Sequence, residues 1–119
     1  MGTHLHRAIF VTSASDIALA SAHAKAVEIF TVRSEESNLR LDSLHRFDSL
    51  VTPVTYGVVN GYGTFTIVPD GSKLGWPEST TADRAREDFL CWLREQGRGL
   101  RLCAIWWGRR DRGRVARVF

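Results

Sequence analysis

The chain has 119 residues and a mass of 13.4 kDa, which leaves room for one domain, 1–119, and excludes two. Hydrophobic residues make up 44% and charged residues 24%, the proportions of an ordinary globular protein, so disordered and fibrous classes are excluded. The longest apolar runs, Ala8–Val11 and Ala104–Trp107, are far short of the ~20 residues of a membrane span, so no membrane partner is expected.

The net charge of +3 hides an asymmetry. Residues 1–96 hold nine Lys and Arg against twelve Asp and Glu, whereas residues 97–119 hold seven arginines against Asp111 alone. Met1–His6 carries two histidines and no apolar run, so it reads as a flexible N-terminus without a leader. Cys91 and Cys103 sit in apolar segments and suit a reducing, cytoplasmic setting.

Arg7–Thr12 is rich in β-formers and predicts a first strand. Ser13, Ser15 and Asp16 offer helix caps. Ile17–Phe30 is alanine-rich, and Ile17, Ala20, Ala24, Val27 and Phe30 recur at helical spacing as the expected buried face. Residues 31–50 form an insert. Ser34-Glu35-Glu36 opens a second helix carrying Leu41, Leu44, Phe47 and Leu50, or the segment is an irregular excursion.

Val51–Val59 alternates and predicts a strand, with Pro53 at an edge or start. Asn60-Gly61 is a hairpin signal that requires positive φ at Gly61, and Tyr62–Val68 is the return strand. Pro69-Asp70-Gly71 turns the chain. Thr80 or Thr81, with Asp83, caps a helix to Gln96. Ala82, Ala85, Phe89, Trp92 and Leu93 form its buried stripe, and Arg84 pairs with Asp88 on the wet side. Gly97 and Gly99 stop this helix. Leu100–Trp107 predicts a strand, Gly108–Gly113 a polar turn and Arg114–Phe119 a short final strand.

The order β-α-(insert)-β-β-α-β-(β) fits an α+β fold, a ferredoxin-like split β-α-β sandwich with both helices on one face of an antiparallel sheet. The last long strand is apolar on both sides. Leu102, Ala104 and Trp106 share one side, and Arg101, Cys103, Ile105 and Trp107 the other. Helices cover only one face, so the other is expected to be covered by the insert, a second copy of the chain or a partner.

Other constellations compete for a role. Ile9-Phe10-Val11 and Gly61-Tyr62-Gly63-Thr64-Phe65 partly match an RNA-recognition module, but Thr64 stands where a stacking aromatic belongs and Phe65 alternates to the opposite face. The arginines suit phosphate contact. Asp70, Ser72 and Lys73 offer an acid, a nucleophile and a base. Read structurally, Asp70 and Ser72 instead bond backbone amides while Trp76 plugs the core edge. His23 has no nucleophile beside it, His4-Leu5-His6 belongs to the terminus, and metal-ligand spacing is absent. No cofactor is expected.

Asn60-Gly61-Tyr62, Pro69–Lys73, Gly75-Trp76, Ser79, Asp83, Arg86, Phe89 and Trp92-Leu93 give the stretch Val51–Leu93 a resemblance to a group of small phage and prophage-type bacterial proteins. The resemblance covers about a third of the chain, and it departs at Leu74 and in the insert Thr31–Asp48. It implies the fold and a mobile-element origin, and supplies no mechanism.

The expectation is a non-enzymatic binding protein, phage- or mobile-element-encoded, that docks on a host protein or on a second copy of itself. Its candidate binding residues are Arg101, Ile105 and Trp107 on the open sheet face and Arg109, Arg110 and Arg112 at its rim, because aromatic and Arg side chains anchor interfaces. The alternatives are a nucleic-acid-binding protein using the same arginines and a small enzyme using Asp70, Ser72 and Lys73.

Overall fold

A computed structural model of the chain describes residues 5–36, 47–58, 61–71, 76–96, 101–108 and 111–117, the last two segments by backbone and register. Leu5–Ser13 forms β1. It takes in Leu5 and His6, which were expected in a flexible terminus and instead pair with Gly108 and Trp107; residues 1–4 lie outside the described residues. Ser15 then caps a helix by accepting from the Ala18 amide at 3.2 Å, as its short hydroxyl side chain suits.

That helix, α1, runs Asp16–Glu36, through Ser34-Glu35-Glu36, where either a new helix or an irregular excursion was expected to begin. Its buried face is Leu19, Ala22, Ala26 and Phe30, not the face containing Ile17, Ala20 and Ala24. Ile17 lies about 200° around the helix from Leu19 and is 86% exposed. The alanines on the true face let α1 approach the sheet closely. The Ser34 hydroxyl donates to the Phe30 carbonyl at 3.0 Å and accepts from the Phe47 amide at 2.9 Å. It thereby ties the helix end to a single 3₁₀ turn, Phe47–Leu50.

The expected long strand after the insert is short. Val51 makes an isolated bridge to Ile67, and β2 is only Thr55–Tyr56. β3 is Gly63–Ile67. Between them the Gly57 amide donates to the Tyr62 carbonyl at 2.8 Å, and Gly61 has φ of 63°, as the Asn-Gly pair requires. Gly63 is buried, and a methyl added there would meet the Leu19 side chain and the Tyr56 ring. Leu19 is itself fully buried and has little room to retreat. Gly63→Ala is therefore expected to destabilise the fold by about 1–3 kcal/mol, read as a lowered urea midpoint with unchanged slope.

α2 spans Pro77–Gln96 and starts earlier than expected, because Pro77 stands at the first helical position, where its missing N–H costs nothing. The Thr80 amide bonds the Trp76 carbonyl and so lies inside the helix rather than capping it. Its buried residues are Ser79, Ala82, Ala85, Arg86, Phe89 and Leu93, while Trp92 is half-buried. Cys91 is exposed, although its neighbours are apolar. Asp88 is engaged by Arg33 of α1, through Nε at 3.0 Å and an Nη at 2.6 Å, rather than by Arg84 one turn away. β4 is Arg101–Gly108 and β5 is Asp111–Arg117, so the final strand begins three residues before the expected position.

The five strands form one sheet in the order β2-β3-β1-β4-β5, and every neighbouring pair is antiparallel. The fold is α+β. One core joins Ile9, Val11, Phe65 and Ile67 of the sheet to Leu19, Ala22, Ala26 and Phe30 of α1, to Ala82, Ala85, Phe89 and Leu93 of α2, and to Phe47. Both helices therefore serve the same face of the sheet. No helix among the described residues is long and apolar enough to cross a membrane.

Candidate docking face

Alternation along β1 divides the sheet. Ile9, Val11 and Ser13 are buried on the helix side, whereas on the other side Phe10 is 36% exposed, Thr12 is half-buried and Ala8 is buried at 4%. Cross-strand partners share a face, so the register carries this division into β4 and β5. Arg101 stands opposite Thr12, Cys103 opposite Phe10, Ile105 opposite Ala8 and Trp107 opposite His6. In β5, Val115 stands opposite Ile105 and Arg117 opposite Cys103. Arg101, Ile105 and Trp107 thus share the face away from the helices with Phe10, Val115 and Arg117. Leu102, Ala104 and Trp106 align with Val11, Ile9 and Arg7 on the helix side.

On the opposite half, the same open face is lined with hydroxyls. Thr12 and Thr64 hydrogen-bond through their Oγ1 atoms at 2.9 Å, and Thr55 pairs with Thr64 in the next strand. The surface therefore grades from a threonine ladder at β2 and β3 to a mixed arginine and apolar region at β4 and β5. Arg112 lies in β5; Arg109 and Arg110 fall outside the described residues. Phe10, Val115 and Arg117 were not among the candidate docking residues. The signal for Phe10 was present in the alternation of the first strand.

The described end of the insert goes to the helix layer and not to this face. Phe47 is buried in the core beneath α1; residues 37–46 lie outside the described residues.

The RNA-recognition pattern loses its second platform. Phe65 is buried against His23, edge-on at 5.1 Å, and against Phe89 at 6.2 Å, while Thr64 and Thr66 occupy the open-face positions of β3. His23 is used structurally, with Nε2 2.9 Å from the Thr52 carbonyl oxygen.

The Asp70-Gly71-Ser72-Lys73 string is tied to α2 by a residue that sequence reasoning did not single out as a site. Arg86 is only 3% exposed. Its two Nη groups donate at 2.8 Å to Asp70 and to Asp83, and Arg7 of β1 reaches Asp83 at 3.4 Å. Asp70 thus bonds a guanidinium, a partner that the sequence did not announce. Trp76 is exposed and does not plug the core edge. Ser72 and Lys73 fall outside the described residues. Gly71 has φ of 78° with open space around its Cβ position, so only backbone strain opposes a side chain there. Gly71→Val is expected to cost about 1–2 kcal/mol, seen as a lowered melting temperature.

Among the described residues no group of three or more His, Cys, Asp or Glu side chains could hold a metal ion. No family model, curated protein or solved structure matches this chain.

Proposed function

We propose that the chain is a ferredoxin-like split β-α-β module extended by a fifth strand, and that it is a non-enzymatic, mobile-element-encoded binding protein that docks on a host protein through its helix-free sheet face. The strand order β2-β3-β1-β4 with all pairs antiparallel supports the first part. The second rests on one observation: the register sets Arg101, Ile105 and Trp107 in line on the face that carries the exposed Phe10. Aromatic, aliphatic and arginine residues on one open face are the composition of interface anchors. Leaving such a surface in water forfeits about 25 cal/mol for each Å² of apolar area. A partner recovers this energy, and the arginines of β5, Arg112, Arg114 and Arg117, favour an acidic partner surface.

Two observations weigh against the other readings. Asp70 pairs with the buried Arg86 at 2.8 Å, which favours a structural role for it over that of the acid in the small-enzyme constellation. The threonines of β3 leave the RNA-recognition pattern without its second stacking aromatic.

Affinity capture from a bacterial lysate, with and without nuclease, tests the reading. A specific protein should be retained by the chain whether or not nucleic acid is digested. Loss of all captured material on nuclease treatment would transfer the function to the arginines as a nucleic-acid contact.

A further inference from the structure

The sheet ends in two unlike edges. β2 is two residues long and follows Pro53 closely, and both features blunt an edge. β5, at the other end of the strand order, is seven residues long and contains no proline. No described strand borders its outer side, so the backbone N–H and C=O groups that alternate outward there can receive a further strand. Its ladder with β4 is regular from Arg114 to Arg117 and shifts register toward Asp111. Arg114 stands opposite Trp106, which stands opposite Arg7. Arg7 reaches Asp83 of α2, so this row lies on the helix side of the sheet. Arg117 stands opposite Cys103 and, through it, Phe10, on the open face. One edge strand therefore carries arginines on both faces of the sheet.

We propose that β5 receives an extended acidic segment of the partner as a sixth strand of the sheet. The inference rests on the reading that the chain docks on a protein, and it names the part of that protein that is recognised. A partner lying on the open face alone meets Arg117 but not Arg114. A strand added beside β5 stands next to both, because its own side chains alternate between the same two faces. Backbone hydrogen bonds give such a strand its affinity, and its side chains give it specificity. Charge decides which strand fits. Opposite charges facing each other across neighbouring strands stabilise the pair, and like charges oppose it. Residues 97–119 hold seven arginines against one acid, and three of those arginines are on β5. A second copy of the chain, paired edge to edge, would bring these three to a seam with another three. An acidic segment neutralises them. Arg114 and Arg117 are three residues apart, so the matching acids of the added strand are also three positions apart, one on each face.

Fluorescence anisotropy of a labelled peptide, Thr-Val-Glu-Val-Thr-Glu-Val-Thr, titrated with the full chain tests this directly. The chain should bind it, and should not bind the same peptide with lysine in place of each glutamate. Methylating the alternate backbone nitrogens that face β5 should abolish binding, and methylating the intervening set should leave it, because only one set donates to the edge. Arg114→Gln and Arg117→Gln should each weaken binding about two- to fivefold, the scale of one cross-strand ion pair. No binding at millimolar peptide overturns the proposal, as does equal binding of the lysine peptide or an equal response to the two methylated sets. These peptide arms use the unaltered chain, so no failure to fold obscures them. Trp107→Glu, on β4, should bind the peptide as the wild type does. The open-face reading and the edge reading therefore fail separately: peptide binding beside protein capture that ignores Trp107→Glu removes the first, and protein capture without peptide binding removes the second.

Discussion

Arg86→Ala is expected to destabilise the fold by about 3–5 kcal/mol, the cost of removing one partner from a buried ion pair. The Asp70 side chain is only 10% exposed beside a guanidinium that is 4% exposed, so removing Arg86 leaves a largely buried carboxylate without its cation. Asp83 is more open, at 29%, and keeps Arg7 at 3.4 Å. Most of the loss therefore comes from the Asp70 side. At roughly 0.05–0.15 kcal/mol per residue, a chain of this length has a total stability of the same order. Arg86→Ala should then be partly unfolded at physiological temperature, whereas Asp83→Ala should lose about 1 kcal/mol. Urea unfolding of the two variants separates them. A loss below about 1 kcal/mol for Arg86→Ala would show that the cluster is not a lock between β3 and α2.

Phe65→Ala is expected to cost about 3–5 kcal/mol as well, for a different reason. Phe65 lies on β3, whose neighbours are β1 and β2. It touches α1 through His23 and α2 through Phe89, so truncation opens a cavity where three elements meet. The same substitution distinguishes a core residue from a nucleic-acid platform. A variant that kept its stability while losing RNA binding would place Phe65 on the wrong face. The expected result is a large fall in denaturation midpoint.

The features most legible in the sequence were those fixed by local chemistry. Asn60-Gly61 announced the β2–β3 hairpin because only a residue tolerant of positive φ closes such a turn. The β-former-rich run Arg7–Thr12 and the apolar run Leu100–Trp107 placed the first and fourth strands to within a few residues. The stripe of α2 was legible from Ala82, Ala85, Phe89 and Leu93. The face of α1 was not, because an alanine-rich helix has small apolar residues all around and its periodicity discriminates poorly between faces. Arg86 was missed as a core residue because charge reads as solvent-facing. Yet it occupies a stripe position, four residues after Ala82 and three before Phe89, and that spacing was the available signal. Its partner Asp70 is 16 residues away in the chain, a pairing that no local pattern reveals. Arg101, Ile105 and Trp107 were readable as one side of a strand. Only the register with β1 set them beside Phe10, which made the open face a continuous surface.

The docking claim is tested most directly by Trp107→Glu, measured for thermal stability and for capture of the partner in the same preparation. If Trp107 belongs to an open face used for docking, the variant should melt within about 2 °C of the wild type, as surface substitutions of under ~0.5 kcal/mol do, and should retain no partner protein. A variant that loses several kcal/mol of stability as an isolated monomer would place Trp107 in the protein's own interior, and one that stays folded and captures the partner at wild-type yield would remove this face from the function.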